Sequence, residues 1–233
     1  MQYFNFLRSG DEISIIAPSK SCGSEGDRKT RCEEAIKKFN KKGISIKADD
    51  LCFKDNEMAR SASGVDRAES FEKAFLDSSK AIIPVTGGEF ELEILPYINF
   101  NKIKKAPNKI FQGMSDNTCI SFLLPTLCDK ASIYGCNFGS FGIKNWHKSL
   151  TQNFNFLCGE FETQQSFKKI EPSVRDENYY LRTSYNLTQN SCPQILSGEK
   201  DVKVSGRIIG GCLDILSNIC GTKFDNVKNF VKK

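Results

Sequence analysis

Apolar residues along this chain come in short runs separated by amphipathic stretches. Ile13-Ser-Ile-Ile-Ala-Pro18 is an apolar run of strand length. In Arg28 to Lys42 the apolar positions recur at helical spacing, and Gly43-Ile-Ser-Ile-Lys47 is a second strand. The pattern then predicts a helix from about Val65 to Leu76, a strand over Lys80-Ala-Ile-Ile-Pro-Val85, a strand ending at Gly113, a helix from Asn117 to Leu127 and a short strand over Ser132-Ile-Tyr-Gly135. Repeated strand-then-helix units predict an α/β fold with a mostly parallel, layered sheet covered on both faces, and with sites at the carboxyl ends of the strands. Gly87-Gly88 and Gly113-Met114-Ser115 both fall at such ends and are expected to converge.

From Asn137 to Pro193 the pattern dissolves into aromatic and polar residues, with a helix expected only around Trp146 to Leu157. A new signal starts at Val202. Lys203 to Gly211 resembles a strand and turn, Cys212 to Cys220 an apolar-striped helix closed by Gly221, and Phe224 begins another helix. The expected organisation is an N-terminal α/β domain over 1–140, a connecting segment over 141–195 and the incomplete start of a second α/β domain over 196–233. About forty residues are too few to bury a core of their own.

Composition narrows the classes. Charged residues make up 26% and hydrophobic residues 39%, and no apolar run approaches the roughly 20 residues that span a bilayer. The start of the chain lacks a basic n-region and an apolar h-region, so the expected location is cytoplasmic, away from membranes. The net charge of +5 is spread over helices such as the one carrying Lys37, Lys38, Lys41 and Lys42. A nucleic-acid groove would show clustered arginine with interleaved aromatics, so no nucleic-acid partner is expected. The ten cysteines form no Cys-x-x-Cys pair and no Cys/His cluster with zinc spacing; they are expected to be reduced packing residues, with no metal and no cofactor. Cys119, four residues after Ser115, is expected to pack.

The chemistry concentrates at Lys109-Ile-Phe-Gln-Gly-Met-Ser-Asp116, a strand running into a tight Gly-X-Ser turn and then a helix. Such a turn lifts a serine hydroxyl above the sheet edge and aims the first free N–H groups of the helix at the place where an oxyanion would form. Ser115 is the candidate nucleophile. The bland reading is a small residue capping the helix. The one histidine, His147, follows Trp146 in the connecting segment and is expected to be a surface or packing residue. Arg67 is expected to pair with a carboxylate, and Glu89 and Glu91, beside a glycine turn, to be solvated at the site mouth. Ser205 to Gly211 lacks both the Lys-Ser/Thr ending of a phosphate loop and a Gly-x-Gly-x-x-Gly spacing.

Ile16-Ala-Pro-Ser19, Ser63-Gly64 with Arg67-Ala68, Gly87-Gly88 followed by Leu95-Pro96, Gly113-Met-Ser-Asp116, Tyr134-Gly135, and Gly206 to Leu213 with Gly221-Thr222 together resemble the serine LD-carboxypeptidases, including the microcin C immunity peptidases. Phe90 to Ile98 is similar to the same stretch of that family in detail. The resemblance covers nearly the whole chain. It implies a two-domain enzyme that cleaves the amide before a C-terminal residue, in a murein tetrapeptide or a peptidyl-nucleotide antibiotic, with a Ser-Glu-His triad. Its serine maps onto Ser115, with Met114 in place of the usual aromatic, and its backbone oxyanion donors map onto Gly88 and Asp116. In that family the glutamate lies beyond the region matching Gly221-Thr222 and the histidine further still, so neither has a counterpart here. Cys136 stands where the family commonly has proline.

The resemblance therefore implies a C-terminally shortened serine carboxypeptidase, inactive as this chain, acting on a peptide or muropeptide. The expected protein partner is a second copy of the chain or a separate C-terminal half. A non-catalytic α/β ligand-binding module or gene remnant that retains the N-terminal pocket stays open as the alternative. A flavodoxin-like or amidotransferase-like domain would need a flavin loop or a Cys/His pair, and neither is seen.

Overall fold

The computed structural model describes residues 1–233 apart from 162, 173–178, 180, 181, 199–201 and 233. Its centre is a five-stranded parallel sheet of β1 (Glu12–Ile16), β2 (Ser45–Ala48), β3 (Ala81–Pro84), β4 (Ile110–Gly113) and β5 (Ile133–Tyr134), in the order β2-β1-β3-β4-β5. The fold is α/β, as the alternating pattern predicted. The register sets Ile13 beside Ile46 on one side and Ala81 on the other, and Ile82 beside Phe111.

Successive strand residues face opposite sides of a sheet, and both sides here are covered. One face carries Ile13, Ile15, Ala81, Ile83 and Ile110 into a cluster with Phe39 of α1 (Asp27–Lys41), Phe138, Phe141, and Leu150 and Leu157 of α5 (Lys148–Leu157). The other carries Ile16, Ile82 and Phe111 against α2 (Gly64–Leu76), α3 (Phe100–Lys105) and α4 (Thr118–Cys128). Helix α4 is buried nearly all round. Its outer side is covered by Ile215 and Ile219 of α6 (Leu213–Ile219), while α7 (Val227–Val231) also packs on it and buries Phe230. A backbone anchor joins these parts, with the Cys212 N–H donating to Thr118 Oγ1 at 2.9 Å.

The strand expected over Val202 to Ile209 does not form. Among the described residues no strand lies alongside to exchange ladder hydrogen bonds, and Val202, Val204 and Ile208 are exposed. An antiparallel pair absent from the sequence reading also forms, β6 (Lys169–Ile170) with β7 (Gln189–Asn190), and it is exposed. Among the described residues no helix is long and apolar enough to cross a membrane.

Candidate active site

In an open parallel sheet the chain leaves a crevice at the carboxyl edge where the strand order reverses. Here that point lies between β1 and β3. A cavity of about 250 Å³ sits there, lined by Lys20 after β1, Thr86, Gly87, Gly88 and Glu89 after β3, Met114 and Ser115 after β4, and Asn137 beyond β5. Arg28 and Arg31 of α1 form the far wall together with Tyr179. Gly87, Gly88 and Ser115, placed at strand ends by the sequence, share this one cavity.

Strand β4 ends at Gly113, where a side chain would press on Asn117: a Cβ there would lie 2.7 Å from the Asn117 Cβ. After an extended Met114 the backbone turns left-handed at Ser115, with φ +63°, and Ser115–Asn117 coil into one tight turn before α4. A left-handed non-glycine residue costs about 1 kcal/mol or more and is found where surrounding contacts over-determine it. Those contacts are visible. Asn137 Oδ1 accepts from the Met114 N–H at 3.0 Å and from Asn117 Nδ2 at 3.0 Å. Asn117 Nδ2 also donates to Thr86 O at 3.0 Å, and the Ser115 N–H donates to Tyr134 Oη at 3.2 Å. Ser115 itself is exposed and makes no capping bond to α4, whose N-cap is Asn117. Its hydroxyl lies against the glycine turn: a Cβ placed on Gly87 would be 3.4 Å from Ser115 Oγ.

The glycine turn is tied down from below. Arg67 of α2 is wholly buried and donates to Pro18 O at 2.9 Å, Phe90 O at 3.0 Å and Glu93 Oε2 at 2.7 Å, linking the loop after β1 to the loop after β3. The expected carboxylate partner of Arg67 is thus Glu93, which Arg60 also grips at 2.5 Å. Ser19 Oγ donates to Asp116 Oδ2 in a short bond, and the Glu91 N–H donates to the same oxygen at 2.8 Å. The Asp116 side chain therefore fastens three loops, while its main chain follows Ser115 directly.

Glu89 lines the cavity, but Glu91 corrects the expectation of a solvated carboxylate. The segment Glu91–Tyr97 coils into a tight helical turn that folds Glu91 inward beside Asp116, and none of it is exposed. Burial, then the neighbouring Asp116 charge, push its carboxyl well above the usual range, against an opposing pull from Arg67. Burial likewise raises Asp116, against the hydrogen bonds it accepts from Ser19 and Glu91. Cys119 is fully buried, its thiol pushed up by burial, and it does not line the cavity. Donor atoms of Glu91, Asp116 and Cys119 lie within 4.8 Å of one another. The set does not suit a metal ion: one Asp116 oxygen is already taken by two donors, and Arg67 brings positive charge next to it.

His147 is the N-cap of α5. Its Nδ1 accepts from the Ser149 N–H at 3.3 Å, its ring packs on Phe167 and Tyr185, and it is absent from the cavity wall. Sequence reasoning missed Asn117, Asn137, Tyr134 as the acceptor at Ser115, Arg28 and Arg31. The asparagines had a usable signal, since both sit within two residues of a strand-end turn or motif. The arginines had none, because a helix face reads the same whether it meets solvent or a cavity.

Residues 13–135 match the family model for the LD-carboxypeptidase N-terminal domain. The chain is 28% identical over 233 residues to the "Putative carboxypeptidase VC_A0337" of Vibrio cholerae, covering 96% of this chain and 66% of that protein. It is 26% identical to the microcin C7 self-immunity protein MccF of Escherichia coli, covering 94% of this chain and 63% of that one. A crystal structure of an MccF-like protein from Bacillus anthracis superposes with a TM-score of 0.73 at 24% identity, over 96% of this chain and 66% of that one. The chain thus spans just under two thirds of the length of these relatives. The family match, carried by the β1 to β5 region that builds the Ser115 cavity, places this protein in the LD-carboxypeptidase family.

Proposed function

We propose that this chain is the nucleophile-bearing part of a serine carboxypeptidase that hydrolyses the amide before a C-terminal residue, in a murein tetrapeptide or a peptidyl-nucleotide. The observation that carries this reading is Ser115, held left-handed at a strand-to-helix turn with its hydroxyl against Gly87 and open to the cavity. Its hydroxyl would attack the scissile carbonyl, and the N–H groups of Gly88 and Asp116 would receive the oxyanion. One such donor contributes about 3 kcal/mol to the transition state. Among the described residues, Lys20, Arg28, Arg31 and Glu89 line this cavity, so charged groups of both signs meet a bound ligand there.

A serine hydroxyl needs a base to take its proton, and a base needs an orienting carboxylate. His147 is engaged as a helix cap away from the cavity. The base and its carboxylate are supplied, on this reading, by a C-terminal half. Without them the donors and pocket leave about 10³ to 10⁴-fold over water, too little for turnover. A fluorophosphonate probe should label the 233-residue chain very slowly. Adding a separately expressed C-terminal half of a relative should restore labelling and release of terminal D-alanine from an LD-tetrapeptide, and Ser115→Ala should abolish both. Robust turnover by the chain alone would overturn the proposal, and its loss in His147→Ala would name the base.

A further inference from the structure

Among the described residues, three carboxylate oxygens behind the Ser115 turn have no hydrogen-bond partner: both oxygens of Glu91, which is 0% exposed, and Oδ1 of Asp116, which is 1% exposed. A buried acceptor without a donor is costly, and two buried carboxylates side by side cost more again. The charged and titratable groups facing this spot are few. Arg67 comes from α2, but Glu93 already shares its guanidinium. Cys119 comes from α4, with Cys212 beyond it, and Glu89 acts on Asp116 from the glycine loop. Two full negative charges at Glu91 and Asp116 would therefore lack a counter-charge of their own. One retained proton removes the imbalance and supplies the missing donor.

We propose that Glu91 is held as the neutral acid and donates its carboxyl proton to Asp116 Oδ1, making Glu91 a positioning residue for the Ser115 turn. Asp116 then has both oxygens engaged, Oδ2 by Ser19 and the Glu91 N–H and Oδ1 by the Glu91 carboxyl. The residue whose N–H would meet the oxyanion is thereby fixed from three loops. This consequence rests on the reading of Ser115 given above, whereas the shared proton does not, so the test uses no peptidase activity.

The proton is read in two ways. Infrared difference spectra of the folded chain should show a protonated carboxyl band persisting at pH 7, lost in Glu91→Gln, whose amide keeps a donor for Asp116 and should fold. Glu91 titrates near 4.5 when unfolded and higher when folded. Above 4.5 the folded state thus binds the extra proton, and stability falls as pH rises. In urea titrations from pH 5 to 8, the unfolding constant of the parent chain relative to that of Glu91→Gln should rise by up to tenfold per pH unit until the folded pair ionises. A ratio independent of pH, or no protonated carboxyl band at pH 7, overturns the proposal. So does a stoichiometric divalent metal in the purified chain. If Glu91→Gln does not fold, the infrared titration of the parent chain decides alone.

Discussion

Replacing Arg67 by alanine tests whether the loops after β1 and β3 are tied together as described. The guanidinium is wholly buried and donates to Pro18 O, Phe90 O and Ser63 O as well as to Glu93. Truncation leaves the Pro18 and Phe90 carbonyls without this donor, each at about 1–3 kcal/mol. Glu93 keeps Arg60 and is 39% exposed, so the loss of its ion pair adds little. Adding the volume vacated by the side chain, the expected loss is about 3–5 kcal/mol, the usual range for breaking a buried charged contact. For a chain of this length that corresponds to roughly 6 to 20 °C in the melting midpoint, at about 2–4 °C per kcal/mol. Urea unfolding followed by far-UV circular dichroism measures it, with Arg67→Lys falling in between, since an ammonium keeps the charge but cannot span the same acceptors. An Arg67→Ala chain within about 1 kcal/mol of the parent would refute the reasoning, because the loops would then hold without the tie.

The left-handed Ser115 implies that Ser115→Gly unfolds about 1 kcal/mol less readily than Ser115→Ala in urea, although both lose the hydroxyl. Asp77, although partly buried, is held well below the usual carboxylate range by hydrogen bonds from Lys47, Ser79 and Lys109. A depressed folded value means stability present above about pH 4 and lost as pH falls through and below it. Unfolding free energies from pH 7 down to pH 2 should therefore decline steeply in the parent chain and less steeply in Asp77→Asn. Val204 at 84% and Ile208 at 91% exposure lie in a segment without a sheet partner. The chain is expected to associate through it, so light scattering should show a mass above one chain that falls in the Val204→Asp, Ile208→Asp double variant.

Periodicity alone determined the alternation of strands and helices, because a two-sided parallel sheet requires continuous apolar strands such as Ala81-Ile-Ile-Pro84 and striped covering helices such as α1 and α2. It also marked the serine turn, since Gly-X-Ser between an apolar strand and an apolar helix is a local signal. What the sequence could not give was set by contacts distant along the chain. The expected strand from Val202 failed because strand formation depends on a neighbour, and local propensity supplies none. Glu91, one residue among several acidic ones after Gly88, reads as solvated in a linear chain; only the fold turns it inward onto Asp116, 25 positions away. The left-handed twist at Ser115 likewise depends on Asn137 and Tyr134, which β5 brings across from a separate strand. A hydroxyl can be placed by a short motif, whereas its strain, its hydrogen-bond supports and the charge around it are properties of groups that meet only after the sheet has formed.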